Sequence, residues 1–367
     1  VTKSQDVVVI GGGAVGAACG YELARERSVL VLDPRNRAGA GWRASAGLLA
    51  PQIDAREDSG LFELGIAGRE YYRDKAEEIE ADSGIDIDLY DGGILHLARG
   101  GAEEDRLRSA VAWQRQHGHR AEWLDPAEVR ADFPWAGPND GALWAGHDGS
   151  VDPLRLVEAF TAGAVRRGAV FEPTLALGLV LDGGRATGVR TLDGIRAAGQ
   201  VVVAAGAWSG RLENLPRPIS VEPVRGQMIA KPWPDNVPRA IAYGSHGYVL
   251  ARGGEAWCGS TVEHAGFAAE PTEAGVRSVA EGAAGLIPAV GSLPTVRSWA
   301  GLRPGTPDGL PIVGGEPGVA NLWYATGHGR NGILLAGITA VALTHLLNGE
   351  ATFEGVEAMR PERFWTW

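Results

Sequence analysis

A chain of 367 residues exceeds the usual single-core size, so a two-domain enzyme with a large buried interior is expected and small modules are excluded. With 34 Lys+Arg against 45 Asp+Glu the net charge is -11, and no basic cluster interleaved with aromatics is present, which excludes nucleic acid as a partner. Cys19 and Cys258 are isolated and lack C-x-x-C spacing, so neither a disulfide framework nor a metal site is expected; with no signal-peptide pattern at the N-terminus, a reducing cytoplasm is the expected compartment.

The strongest local signal comes first in the chain. "VVVIGGGAVGAACGYELARERSVLVLD" is a β-branched run, glycines, a helical stretch through Arg25 and a second buried strand ending at Asp33. Gly11, Gly13 and Gly16 match G-x-G-x-x-G, a spacing that turns the chain tightly, lets backbone approach a pyrophosphate and packs helix on strand. The helix start beyond Gly13 then offers free N–H groups and a positive dipole end, and Asp33 is placed for a ribose hydroxyl. "PRNRAGAGWRASAGLLAP" has no strand pattern and suits a loop lying along a long cofactor.

Residues 61 to 82 look helical, "GIDIDLYDGGILHLA" looks like two strands about a Gly-Gly turn, and Glu103 to His117 looks helical. Asp152 before Pro153 marks another helix start. "VVVAAGAWSG" at 201 to 210 is a buried strand running into small residues, and from Ile219 the pattern changes to short strands, "VEPVRGQMIA", "GYVLARGG" and "AWCGSTV". Two interleaved domains follow: a dinucleotide-binding domain from 1–80, 148–215 and 297–367, and a second domain from 81–147 and 216–296.

Two late segments carry the chemistry. "WAGLRPGTPDGLPIVG" sets Arg303 in an apolar, glycine- and proline-rich run, where a permanently charged guanidinium needs an anion. Asp308 and a substrate carboxylate are both candidates. "ATGHGRNGILLAGITAVALTHLL" leads glycines into an apolar helix too short to span a bilayer, so no membrane span is expected. Its N-terminal end offers roughly half a unit of positive charge to an electron-rich ligand edge.

"VVVIGGGAVG", "SAGLLAP", "VVVAAGAWSG", "VEPVRGQM", "GSTVEHAGF", "WAGLRPGTPDGLPIVG" and "GHGRNGILLA" occur in the order seen in the flavoprotein family of D-amino-acid, sarcosine and glycine oxidases, which the whole chain resembles. The pattern is nearest to the glycine oxidases of thiamine biosynthesis. The resemblance implies an α/β fold, a Rossmann-like FAD-binding domain with an interleaved antiparallel-sheet substrate domain. It assigns the grip on a substrate carboxylate to Arg303, a hydrogen bond to the same carboxylate to Tyr248, a place on the pocket wall to His246 and one beside the flavin to Arg330. Cofactor contacts fall on Gly11, Gly13, Ala14, Val15, Gly16, Asp33, Pro34, Ala46, Gly47, Leu48, Ala176, His328, Gly329, Arg330, Asn331, Gly332, Ile333 and Leu334.

Two departures refine the expectation. No cysteine stands in "AGLRPGTPDG", where sarcosine oxidases tether their flavin, so FAD is expected to be noncovalent; and Val262 stands about where those enzymes carry an oxygen-assisting lysine. The implied reaction is oxidative deamination of glycine, sarcosine or small D-amino acids by hydride transfer to the flavin, with O2 as acceptor. A dehydrogenase passing electrons to a quinone or carrier, and a noncatalytic flavin-binding subunit, are the alternatives. Whether the chain forms a homo-oligomer stays open.

Overall fold

In a computed structural model of the chain, residues 4–53, 55 and 60–364 are described. The β-branched run forms a strand, Gln5–Ile10, buried over its last four residues, and the helix Ala14–Leu23 follows directly after the glycines. Tyr21, Leu23 and the alanines of that helix are buried, because it packs between the helices Pro153–Arg166 and Ala336–Asn348. A helix covered on most sides has little polar face to keep, which is why its sequence is apolar except for Glu22, which is bound by Arg25 and Tyr71.

The first sheet runs in the order Ile312–Gly315, Leu322–Thr326, Gly194–Val203, Gln5–Ile10, Val29–Leu32, Val170–Glu172. All neighbours are parallel except the first two, and the strands Ala176–Asp182 and Arg185–Thr191 extend from Gly194–Val203 as an antiparallel ribbon. The second sheet runs Arg297–Gly305, Glu222–Pro232, Glu255–Gly259, Gly247–Arg252, Ile241–Gly244, Ile94–Leu97, Ala142–Ala145, Glu122–Leu124.

Arg297–Gly305 pairs along its length with Glu222–Pro232 and is an edge strand of the second sheet. Within that otherwise antiparallel sheet Ile241–Gly244 and Ile94–Leu97 run parallel, because they belong to separate excursions of the chain and no hairpin joins them. Only Ile94–Leu97 of the expected hairpin around Gly92 and Gly93 is a strand; Asp88 takes a left-handed conformation, φ 53°, that breaks an extended run before it, and its carboxylate binds Arg239.

Candidate active site

The carboxyl ends of the parallel strands, at Ile10, Leu32, Ala204 and Thr326, open onto a cavity of about 1160 Å³ whose far wall is the second sheet. Ligands in open α/β sheets bind at this end of the strands. At one end of the cavity is the Gly11 turn. Gly11 has φ 102°, and a Cβ there would lie 2.5 Å from the Ala204 carbonyl, so no larger residue fits. A Cβ on Gly16 would lie 1.9 Å from the Gly11 carbonyl, which is how closely helix and strand are packed. The first bond of the helix runs from Ala17 N–H to the Gly13 carbonyl at 2.8 Å, so the N–H groups ahead of it have no intrahelical acceptor.

Asp33 accepts from the Gly12 and Arg35 N–H groups, each at 2.6 Å, and lines the same end of the cavity. Gly13, Ala14, Val15, Pro34, Ala46, Leu48 and Ala176 also line it. Gly16 and Gly47 do not: Gly16 serves the helix packing, and Gly47, at φ 73°, lies where a Cβ would meet the Val151 carbonyl at 1.9 Å. Gly47 is thus packed closely against the Val151 backbone. A turn that admits only glycine, a helix start aimed at it and a cavity of this length fit an extended dinucleotide such as FAD.

Arg303 and Tyr248 face the cavity from the second sheet. Arg303 donates from Nη1 to the Thr261 carbonyl at 3.1 Å and from Nη2 to Ser260 Oγ at 2.6 Å. Burial lowers its pKa, and nearby Arg330 acts in the same direction while Tyr248 and Tyr243 oppose it. Among the described residues no carboxylate pairs with it, since Asp308 is held by Arg363 at 2.7 Å. The choice between Asp308 and a ligand as the anion for Arg303 is thus decided against Asp308. Burial raises the Tyr248 hydroxyl, with the Arg303 charge pulling the other way, so it is a neutral donor at physiological pH.

His246 is exposed at the tip of the turn between Ile241–Gly244 and Gly247–Arg252, at the cavity mouth. Arg330 is exposed in a short 3-10 turn, Gly329–Asn331, and donates to the Tyr243 hydroxyl. The regular helix begins only at Ala336, later than the glycines suggested, because Gly329 to Leu335 is taken up by tight turns. His328, Gly329, Asn331, Gly332, Ile333 and Leu334 all line the cavity from this segment. His328 is buried and uncharged, its pKa driven down to about 3 by burial, with Nε2 3.0 Å from Thr339 Oγ1.

The residue reading missed Tyr243, Ser260 and Gly226. Tyr243 sits opposite Tyr248 across the antiparallel pair, with the rings stacked at 6.2 Å; "YGSHGY" held the signal, since residues flanking a hairpin turn share a face. Gly226 is the space in which the Arg303 side chain lies: a Cβ there would be 2.3 Å from both terminal nitrogens. An isolated glycine inside a strand pattern was its signal.

No metal-binding group of His, Cys, Asp and Glu occurs among the described residues, and no described helix is long and apolar enough to cross a membrane. A family model for FAD dependent oxidoreductases, DAO, matches residues 6–346. Glycine oxidase of Pseudomonas putida is 33% identical over 353 residues, 94% of this chain and 95% of that protein, and glycine oxidase of Bacillus subtilis is 33% identical over 368 residues, 98% of each. The crystal structure of glycine oxidase from Geobacillus kaustophilus superposes with a TM-score of 0.93 at 30% identity, covering 100% of both chains. Matched along most of its length in sequence and along all of it in fold, the chain belongs to the DAO family of FAD-dependent oxidoreductases, the family of the amino-acid oxidases.

Proposed function

We propose that the protein oxidises a small amino acid with a free carboxylate, namely glycine, sarcosine or a small D-amino acid, to the imino acid, which water then hydrolyses to the 2-oxo acid with release of ammonia or amine. O2 is the acceptor and hydrogen peroxide the second product. The observation that carries this reading is Arg303, a half-buried guanidinium facing the cavity with no carboxylate paired to it among the described residues. Its two bonds to Thr261 and Ser260 use one N–H on each terminal nitrogen, leaving a second N–H on each for a two-point grip on a carboxylate. Tyr248 adds a neutral donor beside it.

FAD, when bound noncovalently, supplies the two-electron acceptor. The chain's own part is orientation: with the carboxylate fixed by Arg303 and Tyr248, the α-carbon has one place to go, and positioning of this kind accounts for up to about 7–11 kcal/mol of a barrier. The amine reacts uncharged, and no side chain is needed to hold its proton. The likeness to glycine oxidases extends the proposal to a cytoplasmic supply of the imine for thiamine thiazole synthesis.

Anaerobic mixing of the FAD-loaded protein with glycine, sarcosine, D-alanine, D-proline and the L-amino acids tests it. Bleaching of the flavin by the first four is expected. No bleaching by any of them, or bleaching only by amines without a carboxylate, overturns the reading. Reoxidation of the bleached protein by a dye but not by O2 would overturn the acceptor alone.

A further inference from the structure

At the dinucleotide end of the cavity four side chains from three separate segments form one continuous stack. The Arg37 guanidinium lies 4.5 Å from the centre of the Trp208 ring, Trp208 and Phe267 pack at 5.8 Å, and the Arg211 guanidinium lies 4.9 Å from the centre of Phe267. Arg37 comes from the loop after Asp33, Trp208 and Arg211 from the 3-10 turn Gly206–Arg211, and Phe267 from the loop after Glu255–Gly259. Arg37, Trp208 and Arg211 line the cavity, whereas Phe267 backs them.

We propose that this stack is a clasp for the adenylate half of the cofactor, with Arg37 and Arg211 held on the two aromatic rings as its cationic jaws. Three observations place it at that half. Arg37 feels the carboxylate of Asp33, the residue positioned for the ribose. Arg211 is followed by Glu213, whose backbone bonds Leu177 and Leu179 at 3.0 Å, so the turn adjoins the Ala176 segment. The turn that carries Trp208 and Arg211 follows directly on Ala204 and Ala205, against which a Cβ on Gly11 would press at 2.5 to 2.9 Å.

Asp33 carries one negative charge here and a pyrophosphate brings two more, so two guanidiniums satisfy a need the neutral glycine turn meets only with dipoles. Arginine stacked on an aromatic face keeps its N–H edge free for an anion while losing little side-chain freedom. The loop that carries Phe267 also carries Ser260 and Thr261, which seat Arg303, so the clasp and the substrate anchor share one segment. The inference rests on FAD binding, which family membership supports, and not on the choice of substrate.

The test compares FAD with FMN, which lacks the adenylate. Arg37→Gln/Arg211→Gln and Trp208→Leu variants are stripped of flavin and titrated with each nucleotide by flavin fluorescence, alongside the parent. Loss of two charge-assisted contacts is expected to raise the Kd for FAD about 10- to 100-fold, with FMN affinity unchanged and a shallower dependence of FAD affinity on salt. The melting temperature of the flavin-free protein, measured in parallel, should stay at the parent's value for the arginine pair. An unchanged Kd for FAD, or an equal loss for FAD and FMN, overturns the clasp. Neither result bears on which amine bleaches the flavin.

Discussion

Arg303 is held by Thr261 and Ser260 over the space at Gly226. Arg303→Ala removes a desolvated charged grip, costing about 2–5 kcal/mol, so kcat/KM should fall roughly 30-fold to several thousand-fold while FAD content stays normal. Arg303→Lys keeps the charge without the planar fork and should fall in between. Unchanged specificity in both variants would remove Arg303 from the site. Gly226→Ala tests the same group without touching it: the new Cβ would lie 2.3 Å from the terminal nitrogens, the flexible end of a side chain, so Arg303 moves rather than the strand. The expected result is a rise in KM with loss of about 10- to 100-fold in kcat/KM and little change in Tm, since displacement of a positioning group by about an ångström is enough. A parent-like KM would show that Arg303 has room to spare.

The element that decides cofactor binding is the strand, turn and helix at the start of the chain. Gly16→Ala puts a methyl 1.9 Å from the Gly11 carbonyl, a backbone atom that cannot swing aside, so helix and strand must separate. A cost of about 1–3 kcal/mol, seen as a lower Tm, together with poor FAD retention is expected, because the same shift moves the turn that meets the pyrophosphate. Retention of FAD at parental affinity would separate the helix packing from the cofactor site.

The turn before the last long helix offers a pH test. His328 titrates near 6.5 in an unfolded chain but only at about 3 when buried. Between those values the unfolded chain binds a proton that the folded chain does not. The contribution of neutral His328 is complete above the unfolded value and is lost as pH falls, by up to about 1.4 kcal/mol per pH unit. Denaturant unfolding of His328→Gln should therefore show a shallower fall in stability from about pH 6.5 to pH 5 than the parent. Parallel curves would mean that His328 contributes nothing to the slope.

Across the whole molecule, the second sheet is riveted to the cofactor side by one buried cation. Arg252 ends the strand Gly247–Arg252 and donates to the carbonyls of Ala46 at 2.6 Å and Val151 at 2.7 Å. Burial lowers its pKa to about 10, opposed by Asp152 and Asp88, so it remains charged at pH 7. Arg252→Met should cost about 1–3 kcal/mol for each carbonyl left unsatisfied. The measurements are Tm and the accessibility of bound FAD to an external quencher; a lower Tm with more exposed flavin is expected, and a fall in Tm alone would limit Arg252 to stability.

The strand, glycine turn, helix and second strand were legible because each depends on neighbours within 30 or so residues: β-branching, glycine spacing and apolar runs act locally. Arg303 was legible as a charge out of place, and the resemblance supplied a partner for it. What holds Arg303 was not. Ser260, Thr261 and Gly226 approach it only because Arg297–Gly305 pairs with Glu222–Pro232 in the second sheet, a register set by long-range packing. Glycines illustrate the division: Gly11 and Gly47 both take positive φ, yet a Cβ would meet the Ala204 carbonyl at the first and the Val151 carbonyl at the second, and only the first lines the cavity. Sequence sets the conformation a residue can adopt, and only the folded chain decides what stands opposite it.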